Sequence, residues 1–129
     1  MARILVIDDD NDVRSLAQDV LGSAGYEVLV AADGAQGIEL QRSTPAAVVI
    51  TDILMPEKEG LETIRDLKHE FPGVKIIAIS GAGKRVKSSA YLVTAREVGA
   101  QALLRKPFDS NTLVQMVREV LQSPAEKRP

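Results

Sequence analysis

The chain has 129 residues, 45% of them apolar and 26% charged, which suits one globular domain with a real core and leaves no room for a second ordinary one. A formal charge of −2 at pH 7 favours neither nucleic acid nor a membrane surface as a bulk partner, and with no cysteine there is no disulfide framework, thiolate metal site or thiolate nucleophile. No apolar run approaches a membrane span, and Asp8 interrupts the first apolar stretch too early for a signal-peptide core, so the expected location is the cytoplasm.

Ile4-Leu5-Val6-Ile7 reads as a strand buried on both faces, and it ends in Asp8-Asp9-Asp10-Asn11-Asp12. Val13, Leu16, Ala17, Val20, Leu21 and Ala24 then repeat at helical spacing, with Asn11 or Asp10 as the N-cap and Gly25 as the stop. Tyr26 to Ala31 is a second strand. Asp33 caps a helix through Ala35, Ile38 and Leu40 that fails near Ser43-Thr44-Pro45. Val48-Val49-Ile50 forms a third strand carrying Asp52 at its end, and Pro56 prevents its continuation. Gly60 permits a turn or a close helix start before a helix from Leu61 to Glu70, which stops at Phe71-Pro72-Gly73. Lys75 to Ile79 is a fourth strand ending at Ser80-Gly81. After a loop from Ala82 to Lys87, a fourth helix contains Ala90, Tyr91, Val93, Ala95 and Val98, and Gly99 ends it. Ala102-Leu103-Leu104 is a short fifth strand before Arg105-Lys106-Pro107-Phe108. The final helix, capped by Asp109 or Ser110, buries Leu113, Met116, Val117, Val120 and Leu121. Residues 123–129 form a polar tail expected to be disordered, leaving a single domain over 1–122.

Five strands alternating with five helices specify an α/β fold, a parallel sheet with helices on both faces and right-handed crossovers. Such sheets bind ligands beyond the carboxyl ends of their strands. Those ends carry Asp8 and Asp9, Asp52, Ser80 and Lys106. Three converging carboxylates repel one another unless a cation sits between them. With no imidazole or thiolate beside them, their hard oxygens suit Mg²⁺ or Mn²⁺. A hydroxyl and an ammonium at the neighbouring strand ends match the remaining oxygens of a phosphoryl group. The chemistry implied is phosphoryl transfer to an aspartate, with metal and lysine offsetting charge.

Other readings fail on spacing. Asp8-x-Asp10-x-Asp12 begins like a calcium loop, but Val13 stands at its glycine and Asp19 at its terminal glutamate. Around Gly81-Ala82-Gly83-Lys84, Ala78 and Arg85 replace the first glycine and the Ser/Thr of a phosphate-binding loop. Aspartates after the first strand repel a bare pyrophosphate where a dinucleotide fold offers glycines, and Asp12 breaks the D-x-D-x-T/V pattern of haloacid-dehalogenase-type phosphatases. Asp8 and Asp9 as mere helix-start acids would be more than a cap requires. Asp10 and Asp12 are capping and surface charges, and His69 in its charged run is solvated. The Lys84-Arg85-Lys87 cluster lacks the interleaved aromatics of a nucleic-acid patch.

The chain resembles the response-regulator receiver domains, in particular their stand-alone CheY-like members. The matching stretches are Ile4-Leu5-Val6-Ile7-Asp8-Asp9-Asp10, then Thr51-Asp52-Ile53-Leu54-Met55-Pro56 through Gly60, then Ile79-Ser80-Gly81 and Lys106-Pro107-Phe108. The likeness spans roughly residues 2 to 122. It implies a flavodoxin-like doubly wound (βα)5 fold with strand order 2-1-3-4-5. It also implies that Asp52 accepts the phosphoryl group, that Asp9, Asp52 and the Leu54 carbonyl ligate Mg²⁺, and that Asp8 acts through metal-bound water. Ser80 would bond a phosphoryl oxygen and report phosphorylation by moving inward, Lys106 would pair with the same group, and Pro107 would follow a cis peptide bond.

Three departures stand out. Leu103 occupies the place of the family's frequent Tyr or Phe, so an aromatic switch cannot work in its usual form. Glu59 replaces the commoner Asp before Gly60. The loop after Ser80 is longer and carries Gly81, Gly83, Lys84, Arg85 and Lys87, an expected mobile route for the output signal. Leu54 and Ala82 flank the site with apolar or small side chains, which suggests a long-lived phosphoryl group. The resulting expectation is a receiver of a two-component phosphorelay and no enzyme with external turnover. It would take phosphate from a histidine kinase or histidine phosphotransfer protein and signal through the face of the fourth helix, fifth strand and final helix, without contacting nucleic acid or membrane itself. The alternatives are an aspartyl-phosphate phosphatase or phosphotransferase, and a receiver fragment of a longer transcription regulator.

Overall fold

Five strands form where aliphatic and β-branched residues run together: β1 (Arg3–Ile7), β2 (Glu27–Ala31), β3 (Val48–Asp52), β4 (Lys75–Ser80) and β5 (Ala102–Arg105). The structure, a computed structural model, describes residues 2–53, 60–80, 96–97 and 99–123. Among these lie four helices, α1 (Asn11–Ser23), α2 (Gly34–Ser43), α3 (Gly60–Glu70) and α4 (Ser110–Gln122). The expected helix from Ala90 to Val98 and the loop from Ala82 to Lys87 fall wholly or largely outside the described residues, as do Leu54 to Glu59 and the tail after Ser123.

The strands are all parallel, in the order β2-β1-β3-β4-β5, as the resemblance implied. The order reverses between β1 and β3, which opens a crevice above their carboxyl ends. Side chains alternate across the sheet because the strand period is two. Leu5, Ile7, Val49, Ile76 and Ala78 join Ile38 of α2 and Ile64 and Leu67 of α3 in one core. Ile4, Val6, Val48, Ile50, Ile77 and Ile79 join Ala17 and Leu21 of α1 and Leu113, Val117 and Val120 of α4 in the other. The two central acid-bearing strands are thus anchored from both sides, and their ends have little freedom to shift.

Local signals set the helix limits. Asp10, rather than Asn11, caps α1, its carboxylate accepting from the N–H groups of Asp12 and Val13. Asp33 caps α2 through Gln36 N–H, and Asp109 caps α4 through Thr112 N–H. Gly25 adopts φ +100° after α1, a conformation only glycine takes cheaply. At the far end of the sheet, Lys75 Nζ donates to the carbonyls of Leu121 (3.1 Å) and Ser123, closing the last turn of α4 with a cation where the helix dipole favours one.

Candidate functional site

The acids meet because of where their strands end. Asp52 is the last residue of β3, and Asp8 and Asp9 directly follow β1, its immediate neighbour in the sheet. One carboxylate oxygen from each of Asp8, Asp9 and Asp52 lies within 4.8 Å of the others. Asp8 is fully buried and Asp52 nearly so, whereas Asp9 is exposed. From the far side Lys106, just beyond β5, brings Nζ to 3.0 Å from Asp52 Oδ2 and 3.2 Å from Asp8 Oδ2. Its backbone N–H donates to the Ser80 carbonyl at 2.9 Å, and the peptide bond from Lys106 to Pro107 is cis. Ser80 itself ends β4, fully buried and paired in register with Arg105.

Two neighbours lock Asp52 in place. Thr51 Oγ1 donates to the Asp52 carbonyl at 3.2 Å. The first residue of α3, Gly60, packs so tightly that a Cβ there would overlap the Asp52 carbonyl oxygen and the Ile53 Cα. Glycine is therefore what lets α3 start against the strand end, one residue earlier than the apolar periodicity indicates.

Burial pushes the Asp8 carboxyl up to about 6, reinforced by the charge of Asp52 and opposed by the Asp10 N–H and Lys106. For Lys106 burial acts to lower the pKa, but the charges and hydrogen bonds of Asp52 and Asp8 outweigh it and the net shift is upward. The ammonium thus stays charged and offsets part of the carboxylate repulsion.

A divalent cation fits these residues. The donors are all carboxylate oxygens, the set that Mg²⁺ and its hard relatives take. Asp8 Oδ2 is buried, and its one contact with a donor among the described residues is the 3.2 Å ion pair with Lys106 Nζ. A buried lone pair left in this way calls for a further positive partner.

A doubly wound parallel sheet with an acid cluster, a lysine and a hydroxyl at its switch point defines a class of aspartate-centred signalling modules. The chain belongs to the response regulator receiver domain family, whose profile matches residues 4–118; receivers are two-component signalling proteins that interact with histidine kinases and phosphotransfer proteins. It is 31% identical over 119 residues to the chemotaxis protein CheY of Thermotoga maritima, covering 92% of this chain and 96% of that one. To the transcriptional regulatory protein CpxR of Klebsiella pneumoniae it is 33% identical over 124 residues, covering 95% of this chain and 50% of the relative. The chain therefore spans about half the length of CpxR. Among solved structures, chemotaxis protein CheY4 of Vibrio cholerae superimposes with a TM-score of 0.85 at 28% identity, covering 93% of this chain and 98% of that one.

The structure brings Asp8, Asp9, Asp52 and Lys106 together and sets Ser80 at the adjoining strand end. The Leu54 carbonyl and Ala82 fall outside the described residues, as do Glu59 and the loop from Gly81 to Lys87. Leu103 pairs with Ala78 and packs against the core under α2 and α3. No helix among the described residues is long and apolar enough to cross a membrane. Sequence reasoning missed Arg14, whose guanidinium donates to the Asp8 carbonyl at 2.7 Å. The available signal was a cation in the first turn of a helix, where the dipole disfavours one.

Proposed function

We propose that Asp52 accepts a phosphoryl group from a phosphohistidine-bearing partner and that the phosphorylated domain changes its affinity for a target protein. One observation carries this reading: among the described residues one ammonium, Lys106 Nζ, touches both the Asp52 and Asp8 carboxylates. A lysine so placed can move its contact from the free carboxylate to a phosphoryl oxygen as the new bond forms. An Asp52 oxygen attacks phosphorus, the P–N bond to the donor histidine breaks, and its electron pair returns to the imidazole ring. Ser80 would donate its hydroxyl to a phosphoryl oxygen, and Asp8 and Asp9 would hold the cation.

Mg²⁺, with Mn²⁺ as a substitute, is the proposed metal. Asp9, Asp52 and the Leu54 carbonyl would ligate it directly and Asp8 through water. When bound it supplies positive charge to the oxygens of the transferred group. No external substrate is turned over in this reading, and the cytoplasm is its setting. The output face comprises β5, α4 and the helix expected before Gly99.

For the donor we propose an apolar groove formed by Val13 and Leu16 of α1 with Pro107 and Phe108. Lys106 also lines it, so a helix seated there would carry its histidine toward Asp52. The half-length coverage of CpxR favours a second reading of the output, in which this receiver regulates a further domain of a longer protein. The decisive experiment is labelling by a small acyl phosphate or phosphoramidate, read by intact mass. The wild type should gain one phosphoryl group only with Mg²⁺, and Asp52→Asn none. Equal labelling of the two proteins would end the proposal.

A further inference from the structure

The loop presenting Asp9 is tethered on both sides of that residue. Before it, Asp8 N–H donates to the Ala31 carbonyl at 3.1 Å, and Asp8 Oδ1 accepts from Asp10 N–H at 2.9 Å. After it, the Asp10 carboxylate accepts from Asp12 and Val13 N–H at the start of α1. Arg14 closes the span between these two anchors. Its Nη1 donates to the Asp8 carbonyl at 2.7 Å and its Nη2 to Asn11 Oδ1 at 3.0 Å, while its own N–H donates to the Asp10 carbonyl at 3.1 Å. The planar fork holds two acceptors at a fixed separation, which a lysine cannot do. Asp9, exposed to solvent, has its position set by the backbone that carries it.

We infer that Arg14 is a positioning residue for the carboxylate cluster: by clamping the Asp8 carbonyl to Asn11, it fixes the backbone from which Asp9 is presented to a divalent cation. This rests on the proposal that the acid cluster binds such a cation, and it assigns the strength of that binding to a residue that never touches the metal.

The sign of one measurement separates this role from its rivals. If Arg14 were only a nearby positive charge, it would repel Mg²⁺, and removing it would tighten metal binding. If it were only a structural brace for α1, removing it would lower the melting temperature and leave metal affinity alone. A positioning role requires that affinity fall although a repelling charge has been removed. Residues that orient metal ligands from outside the coordination shell typically cost about 10- to 100-fold in affinity when lost.

The test titrates Mg²⁺ calorimetrically into the full chain as wild type, Arg14→Met and Arg14→Lys, with amide exchange of the metal-free proteins as a second readout. Arg14→Met should weaken Mg²⁺ binding at least about tenfold and speed exchange at Asp9 to Asn11. Arg14→Lys, keeping the charge and reaching one acceptor, should fall between. Unchanged or tighter binding by Arg14→Met overturns the inference. Should that variant not fold, Arg14→Lys carries the test: weaker binding supports the assignment, and wild-type affinity overturns it. A wild type that takes up no Mg²⁺ sinks the cation-site reading first, and the inference with it.

Discussion

At Asp8, burial and charge oppose each other. Its carboxyl titrates near 6 when folded, against an ordinary value of 3.8. Between those two values the folded state therefore holds a proton that the unfolded chain has lost. Stability from this group is fully present below about pH 4 and is lost as pH rises through about 6. A rise from 3.8 to about 6 corresponds to about 3 kcal/mol. Denaturant unfolding in metal-free buffer should show that fall, and Asp8→Asn should remove it. At pH 7 the variant should be the more stable protein while binding Mg²⁺ less well, the trade expected of a strained functional group. If both proteins follow the same pH curve, Asp8 is not the titrating group. Lys106 answers to the opposite substitution. Lys106→Met leaves Asp8 and Asp52 facing each other without their shared ammonium, a loss of roughly 3 kcal/mol at pH 7. The loss should shrink at pH 4, where Asp8 carries its proton.

Two glycines show how elements meet at the site and why sequence alone does not rank them. Both lie in helices, where alanine is intrinsically better by about 1 kcal/mol. At Gly37 of α2 an added Cβ would overlap the Cδ1 and Cγ1 atoms of the buried Ile7 side chain, which can yield only by repacking the core. At Gly60 it would meet the backbone of Asp52 and Ile53, which cannot. Gly37→Ala should thus cost about 1 kcal/mol, because helix propensity offsets only part of the strain. Gly60→Ala should cost about 1–3 kcal/mol and slow labelling of Asp52, because α3 must back away from the strand end. Comparable chemical midpoints for the two variants would refute this contrast. The sequence marked Gly60 as a turn or close helix start, but the overlap with β3 is a tertiary fact invisible to periodicity. Arg14 was illegible for a similar reason, since its partner is a main-chain carbonyl six residues back. The acids and Lys106 were legible because strand ends in a parallel sheet share one edge, whatever the packing details. The caps Asp33 and Asp109 were legible from side-chain chemistry alone, and Asp10 could be separated from Asn11 only by its observed hydrogen bonds. Exposure also matters for α1. Leu16 is the only large apolar side chain left exposed among the described residues, and if the groove proposed for the donor is used, Leu16→Glu should lower transfer from a phosphohistidine protein about tenfold relative to a small donor.

Across the whole molecule, the alternation of strands and helices foretold the sheet because β1, β3 and β4 are apolar on both faces. That same double-sided burial makes the acid cluster costly: three carboxylates are held at the end of a rigid sheet that cannot relax to separate them. A cation that binds this cluster binds only the folded state, so it must raise global stability by linkage. With free Mg²⁺ at about 100 times its dissociation constant, the gain is about 2.7 kcal/mol, which for a domain of this size moves the melting midpoint by on the order of 10 °C. Adding a chelator should reverse the shift completely. At pH 5 the shift should be smaller, because protonated Asp8 competes with the metal. Asp9→Ala should respond little at either pH. Thermal melts of these proteins with and without metal decide the matter, and a wild-type midpoint indifferent to Mg²⁺ at pH 7 would remove the cation from this site.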